Sequence, residues 1–296
     1  MKEEKRLKIA VQKSGRLSER SMNLLDRCGI TLSKSRDQLL CRAENFPLDV
    51  FLVRDDDIPA FLATDVCQLG IVGQNALFEK KIKLKKQFQE IDEILPLGFG
   101  KCRLSIAVPT DFPYESILSL DGKVIATSYY GLLSQFLKQK GINAQIVTME
   151  GAVEVAPRTH LADVVCDLVS TGSTLSSNGL VEKFVVLKSE AVLAANKIAD
   201  ESLATISKKL ISRICAVLRA ENSRYIMLNS PINSLDAIKA VLPGSQSPTV
   251  MSLQGRDDMV AVHAVCEEEI FWETMEELKA NGANSILVVP IQKMLD

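Results

Sequence analysis

Ala162-Asp163-Val164-Val165-Cys166-Asp167-Leu168-Val169-Ser170-Thr171-Gly172-Ser173-Thr174-Leu175 is the stretch from which the rest of the chain is read. Its apolar run, Val164–Val169, has the length and β-branched character of a buried strand. The run passes into a turn of small residues around Gly172 and then into a helix start, the strand–turn–helix unit of an α/β fold. Several backbone N–H groups and the hydroxyls of Ser170, Thr171, Ser173 and Thr174 can converge there on one anion, as in a phosphate cradle. Asp163 and Asp167 lie close by in sequence, and a carboxylate at the mouth could accept hydrogen bonds from a ribose diol or help to hold magnesium. By itself the segment is equally a Ser/Thr-rich turn that caps a helix beside solvating aspartates.

Working outward, the same rhythm recurs. Upstream lie strand candidates Leu7–Val11, Val50–Val53 and Leu69–Gly73, with a helix over Ser18–Cys28 closed by Gly29. Around the opening segment lie Leu104–Val108, Val124–Thr127, a helix over Leu132–Lys140 stopped by Gly141, and Gln145–Thr148. These predict two α/β lobes. Glu182–Ala195 is strand-like and is expected to return to the first lobe. Ser202–Ala220 carries Leu203, Ile206, Leu210, Ile214 and Leu218 at helical spacing and reads as a connecting helix. Beyond it, strand Tyr225–Leu228, helix Leu235–Leu242, strands Thr249–Leu253 and Met259–Val265, helix Ile270–Asn281 and strand Ser285–Val289 give the β-α-β-β-α-β order of a ferredoxin-like module. The expected division is 1–103 with 180–196 as lobe I, 104–179 as lobe II, 197–223 as the connecting helix and 224–296 as the last domain.

Composition narrows the function. In 296 residues, 35 Lys+Arg stand against 37 Asp+Glu, so no basic excess exists to hold a nucleic acid by counterion release. The charge run Glu79–Lys86 reads as a solvated helix end or loop. Apolar residues make up 47% and charged ones 24%, ordinary for globular domains. No apolar run reaches membrane-span length and no signal-peptide core follows Met1, so a cytoplasmic location away from membranes is expected. The 7 cysteines form no C-x-x-C pair and read as buried reduced thiols. The 2 histidines, His160 and His263, show no metal-ligand or nucleophile–base spacing, and His263 reads as a structural imidazole.

Other polar clusters fall at strand ends, where open α/β sheets place ligands. Lys13-Ser14-Gly15-Arg16 offers close backbone approach and a guanidinium that can fork onto phosphate oxygens. Arg54-Asp55-Asp56-Asp57 sets a cation beside carboxylates, suited to a nucleotide or equally to a helix N-terminus. Gly73-Gln74-Asn75 and Thr127-Ser128-Tyr129 repeat the theme.

With Gln12–Leu17, Val53–Pro59, Ala126–Tyr129, Gly151–Val155, Asp167–Leu175, Tyr225–Leu228, Phe271–Glu276 and Ser285–Pro290 in order, the chain resembles the long form of the ATP phosphoribosyltransferase family over essentially its whole length. That resemblance implies two periplasmic-binding-protein-like lobes and an ACT-like C-terminal domain. It implies Mg²⁺-dependent transfer of phosphoribosyl from phosphoribosyl pyrophosphate to N1 of ATP, feedback inhibition by L-histidine, AMP as a further candidate ligand, and homo-oligomers in dimer–hexamer exchange. Carried over, Ser170, Thr171, Gly172, Ser173 and Thr174 would hold the 5-phosphate, with Asp167 and Glu154 near the ribose hydroxyls. Arg16, Arg54, Gly73, Thr127, Ser128 and Tyr129 would line the ATP and pyrophosphate side, with Arg16 and Asp167 serving catalysis. Asn229, Thr249 and Ser285 would contact histidine, and no protein ligand is assigned to the metal. Against the family pattern, Gln68 and Gln74 replace acidic residues, Tyr130 stands where proline is usual and His160 where glycine is common.

Two other readings are open at this point. A prephenate dehydratase shares two lobes and an ACT domain, but its Thr-Arg-Phe motif is missing. A two-lobed solute or effector binder would call for a leader or a DNA-binding module.

Overall fold

In the computed structural model, which describes residues 5–33, 39–83, 90–242, 248–266 and 272–295, two compact units form, Met1–Asp26 with Ile30–Ser207, and Arg27–Gly29 with Lys208–Asp296. The first unit contains two sheets. Strands β1 (Leu7–Gln12), β2 (Leu40–Arg42), β3 (Leu48–Val53), β4 (Leu69–Gly73) and β5 (Asp92–Pro96) build one of them. Strands β6 (Cys102–Pro109), β7 (Val124–Thr127), β8 (Gln145–Thr148), β9 (Val164–Val169) and β10 (Leu180–Ser189) build the other, and β11 (Ala191–Ala195) returns to the first. The sheet orders are β2-β3-β1-β4-β11-β5 and β10-β6-β9-β7-β8.

Burial explains the legible strands. Leu7, Ile9, Ala10 and Val11 are fully buried in an inner strand, as are Val164, Val165 and Cys166 of β9. Each large aliphatic side chain so buried contributes roughly 1.5–3 kcal/mol. Helices α1 (Ser18–Arg27), α2 (Ile58–Ala63), α3 (Gln74–Lys83), α4 (Tyr130–Lys140) and α5 (Ser173–Ser177) complete the two layers. α4 ends on Gly141, whose backbone is left-handed.

The stretch read as one strand over Glu182–Ala195 divides in two. β10 pairs antiparallel with β6 in the second sheet, and only β11 pairs with β4 and β5 in the first. Residues 180–189 therefore belong with the second sheet and not with lobe I. The chain crosses at Glu190, beside the earlier crossing near Phe99, where Ala191 N–H donates to the Phe99 carbonyl at 2.9 Å.

Helix α6 (Glu201–Glu221) passes from the first unit into the second. There β12 (Arg224–Pro231), α7 (Leu235–Val241), β13 (Thr249–Leu253), β14 (Arg256–Cys266), α8 (Trp272–Ala280) and β15 (Asn284–Pro290) follow in ferredoxin-like order. The sheet is antiparallel, in the order β13-β14-β12-β15. Ile226, Leu228, Ile238, Val262 and Leu278 form its core. Pro243-Gly244, expected to end α7, and the start of the last helix at Ile270 lie outside the described residues. No helix among the described residues is long and apolar enough to cross a membrane. Cys28, Cys41, Cys67, Cys166 and Cys266 are buried, but against expectation Cys102 is half-buried and Cys215, on α6, is exposed; burial pushes Cys28 up to about 11.

Candidate active site

β9 delivers the turn that opened the sequence reading. Gly172 sits at φ 85°, ψ −1°, a left-handed backbone that glycine adopts without steric cost, and it precedes the first residue of α5. Thr171 Oγ1 and Ser173 Oγ lie 3.0 Å apart, and Ser170, Thr171, Ser173 and Thr174 are partly or fully exposed. Arg16, from the turn after β1, reaches across from the other sheet: its Nη1 donates to Ser170 Oγ at 2.7 Å. Arg103 Nη1 donates to the Ser170 carbonyl at 3.1 Å while its fork holds Glu182 at 2.5 Å. Two guanidinium groups thus flank Ser170.

Asp167 lies in β9, three residues before Ser170. Burial raises its carboxyl above the ordinary range, and Glu154 adds to the rise while Arg16 opposes it. Asp167, Glu154 and Arg16 therefore share one electrostatic neighbourhood. Asp55, after β3, shows the same pattern: burial and Asp56 push its carboxyl up to about 6, against the Gly73 N–H and Arg16. Its Oδ1 is buried without a hydrogen-bond partner.

A cavity of about 620 Å³ lies between the two sheets of this unit, and of the expected residues Arg54, Ser128, Tyr129 and Asp167 line it. Glu79, Lys80, Lys83 and Glu150 line it too, and sequence reasoning missed all four. Lys80 and Lys83 carried a signal in the charge run, read as solvation. Glu79 carried none, because it is buried by partners more than 50 residues away.

Not every expected contact is available. Thr127 is fully buried, and its hydroxyl accepts the Tyr129 N–H at 2.9 Å, so it shapes the turn and does not face a ligand. Gly73 is packed beneath the site, where a Cβ would come 2.6 Å from Asn75 Oδ1. Ser128 Oγ donates to the Met149 carbonyl at 2.8 Å. Tyr129 Oη accepts from Asn75 Nδ2 at 2.9 Å, and burial raises the phenol. Glu79, expected in a solvated run, is only 5% exposed. Leu84, Lys85 and Lys86 lie outside the described residues.

The departures from the family pattern have local explanations. Gln68 Oε1 accepts the Lys8 N–H at 3.1 Å, and Gln74 Nε2 donates to Glu93 at 3.0 Å. Tyr130 is the first residue of α4, the position that favours proline. His160 sits at φ 57°, a left-handed position natural to glycine.

In the second unit, Asn229 and Asn284 face each other across β12 and β15, next to Ser285, whose φ is 52°. Thr249 pairs with His263 on the far side of β14. Two inter-strand steps of ~4.8 Å thus separate it from β12, and the sheet does not bring Thr249 to Asn229 and Ser285 within one chain. His263 Nδ1 lies 3.1 Å from Tyr225 Oη, a satisfied structural imidazole.

Among the described residues no three His, Cys, Asp or Glu side chains converge as a metal cage. Carboxylates Asp56, Asp57, Glu150 and Asp167 do line the cavity beside Arg54, Lys80 and Lys83. This donor set fits a hard cation carried chiefly on substrate phosphates, with one or two carboxylates completing its shell.

Comparison with known proteins bears on what this cavity does. The family described as ATP phosphoribosyltransferase matches residues 54–219, and the domain described as HisG, C-terminal domain, matches 220–293. The ATP phosphoribosyltransferase of Maricaulis maris (strain MCS10) is 49% identical over 292 residues, covering 98% of this chain and 99% of that protein. Among solved structures, a chain of the ATP phosphoribosyl transferase (HisG:HisZ) complex from Thermotoga maritima is 25% identical with a TM-score of 0.58, over 70% of this chain and 98% of that one.

Proposed function

The chain belongs to the long form of the ATP phosphoribosyltransferase family, and on that premise we propose how its first unit performs the transfer of 5-phosphoribosyl from phosphoribosyl pyrophosphate to N1 of ATP. This reaction releases pyrophosphate and is the first step of histidine biosynthesis. The observation that carries the reading is the bond from Arg16 to Ser170, which sets a cation from one sheet on the exposed hydroxyl cradle of the other.

The 5-phosphate sits in the turn Ser170–Thr174, against the backbone N–H groups that start α5. Asp167 and Glu154 accept hydrogen bonds from the ribose hydroxyls, which fixes the sugar ring. The adenine N1 lone pair forms the new bond to the anomeric carbon while the bond to the pyrophosphate oxygen breaks. The sugar passes through a cationic, oxocarbenium-like state, so the chain supplies alignment and charge and needs no nucleophile of its own. Arg16 and Arg54 offer positive charge to the departing pyrophosphate and the ATP phosphates, and Ser128 and Tyr129 shape the nucleotide side. Mg²⁺ would be held by substrate phosphates with Asp167, and when bound it supplies neutralisation of the leaving group.

The second unit is the L-histidine sensor in this reading, with Asn229 and Ser285 from one chain and Thr249 from a second copy of it, since the sheet keeps them apart within one chain, and AMP is a further ligand of the enzyme. The Thermotoga maritima chain is matched by 70% of this one. In this reading the ferredoxin-like module builds regulation into one chain, the enzyme is a homo-oligomer of dimers and hexamers that needs no accessory subunit, and it acts in the cytoplasm.

The test is an ultraviolet assay of phosphoribosyl-ATP formation, with pyrophosphatase to draw the reaction forward, run with and without L-histidine. Turnover suppressed by histidine in the wild type and lost in Asp167→Asn is expected. Wild-type turnover in Asp167→Asn would remove the cradle from the site, and turnover indifferent to histidine would remove the sensor.

A further inference from the structure

Helix α3 of the first sheet and the turn that opens α4 in the second are bound to each other by buried side chains. Glu79 Oε1 accepts the Gly131 N–H and Oε2 accepts the Leu132 N–H, each at 2.8 Å. One helical turn earlier on α3, Asn75 Nδ2 donates to Tyr129 Oη at 2.9 Å, and Asn75 Oδ1 accepts from Ser189 Oγ at 2.8 Å. Lys83 Nζ lies 2.9 Å from Glu79 Oε1 and balances its charge from the cavity side. Asn75 and Glu79 are 4% and 5% exposed, so these bonds are shielded from water.

The N–H groups of Gly131 and Leu132 belong to the first turn of α4, where a helix has no internal acceptors and carries partial positive charge. A carboxylate taking two of them makes short, charge-assisted bonds of fixed direction. The approach is close because residue 131 has no side chain: a Cβ there would stand 3.0 Å from Ile82 Cγ2 and 3.1 Å from Glu79 Oε2. The turn Thr127–Tyr129 is thereby fixed from within its own sheet, by Thr127 and the Met149 carbonyl, and from the other sheet by α3.

We propose that Glu79, seconded by Asn75, is a positioning residue for the nucleotide: the first lobe sets, through the N-terminus of α4, where Ser128 and Tyr129 stand when ATP binds. The clasp also occupies the helix end that would otherwise attract a phosphate, so the 5-phosphate and the triphosphate are not offered equivalent sites. This inference rests on the reading that ATP lies against the Thr127–Tyr129 turn.

Steady-state kinetics with each substrate varied in turn test it, with Ser128→Ala as the control on that reading. Glu79→Ala is expected to raise KM for ATP about tenfold while KM for phosphoribosyl pyrophosphate stays within about twofold. Glu79→Gln keeps one acceptor oxygen and is expected to fall between the two. Gly131→Ala would favour an isolated helix yet wedges the clasp, and it is expected to raise KM for ATP as well. These last two decide the matter if Glu79→Ala does not fold. An unchanged KM for ATP, or equal rises for both substrates, overturns the clasp where Ser128→Ala does shift KM for ATP. No effect of Ser128→Ala on KM for ATP overturns the placement of the nucleotide and the clasp with it.

Discussion

The second sheet presents two strand–turn–helix units side by side, β9 into α5 and β7 into α4, and they have opposite fates. The first leaves the hydroxyls of Ser170–Thr174 exposed beside Arg16 and Arg103. The second has Thr127 buried, Ser128 bonded to Met149, and its helix end filled by Glu79. Local sequence is alike in kind, small polar residues after an apolar strand. What separates the open turn from the closed one is whether a distant carboxylate has already taken the N–H groups.

The sharpest way to break this contrast is to disable the open turn. Gly172→Val forces a β-branched residue into a left-handed backbone and removes the cradle's geometry. We expect turnover to fall by about 10²–10⁴-fold, with the fold retained by circular dichroism. Disabling the closed turn acts on stability as well as on KM for ATP. Glu79→Ala leaves the buried Gly131 N–H and the half-buried Leu132 N–H without their acceptor, at about 1–3 kcal/mol for the buried one and less for the other, and the loss is read from urea midpoints.

Asp55 tests whether the site is held under electrostatic load. Burial and Asp56 raise its carboxyl to about 6 from an unfolded value near 3.8, while Arg16 and the Gly73 N–H pull it down. Between those two values the folded chain binds more protons than the unfolded one, so stability falls as pH rises through that window and stays lower above it. Asp55→Asn is expected to stabilise the ligand-free protein by about 2–3 kcal/mol at pH 7, a gain that vanishes near pH 4. An equal gain at both pH values would assign it to packing. The smallest effect is outside the cavity lining: His160→Gly relieves a left-handed φ of 57° and should add about 1 kcal/mol at most, visible in Tm with activity unchanged.

Much of the fold was legible because inner strands write themselves in apolar runs. Leu7–Val11, Leu69–Gly73 and Val164–Val169 are buried from both faces, and β-α-β-β-α-β at the C-terminal end follows from periodicity and turn residues. The missed strands, β2 and β5, lie at the two edges of the first sheet, where only one neighbour enforces a pattern. The break between β10 and β11 was invisible because Glu190 alone marks it. At the proposed site, Arg16, Asp167 and the Ser170–Thr174 turn stood out because residue types suited to phosphate recognition fall there at strand ends. Thr127 was misjudged because hydroxyl chemistry does not reveal burial. Glu79 was hidden by the lysines that follow it, and only its long-range partners disclose its role.

The most direct measurement is calorimetric titration of phosphoribosyl pyrophosphate with Mg²⁺ into wild-type protein and into Gly172→Val, with ATP titrated in parallel. Loss of phosphoribosyl pyrophosphate binding in the variant with ATP binding kept is the predicted result. Phosphoribosyl pyrophosphate bound with wild-type affinity by a folded Gly172→Val protein would contradict the assignment of the open turn as the phosphate cradle.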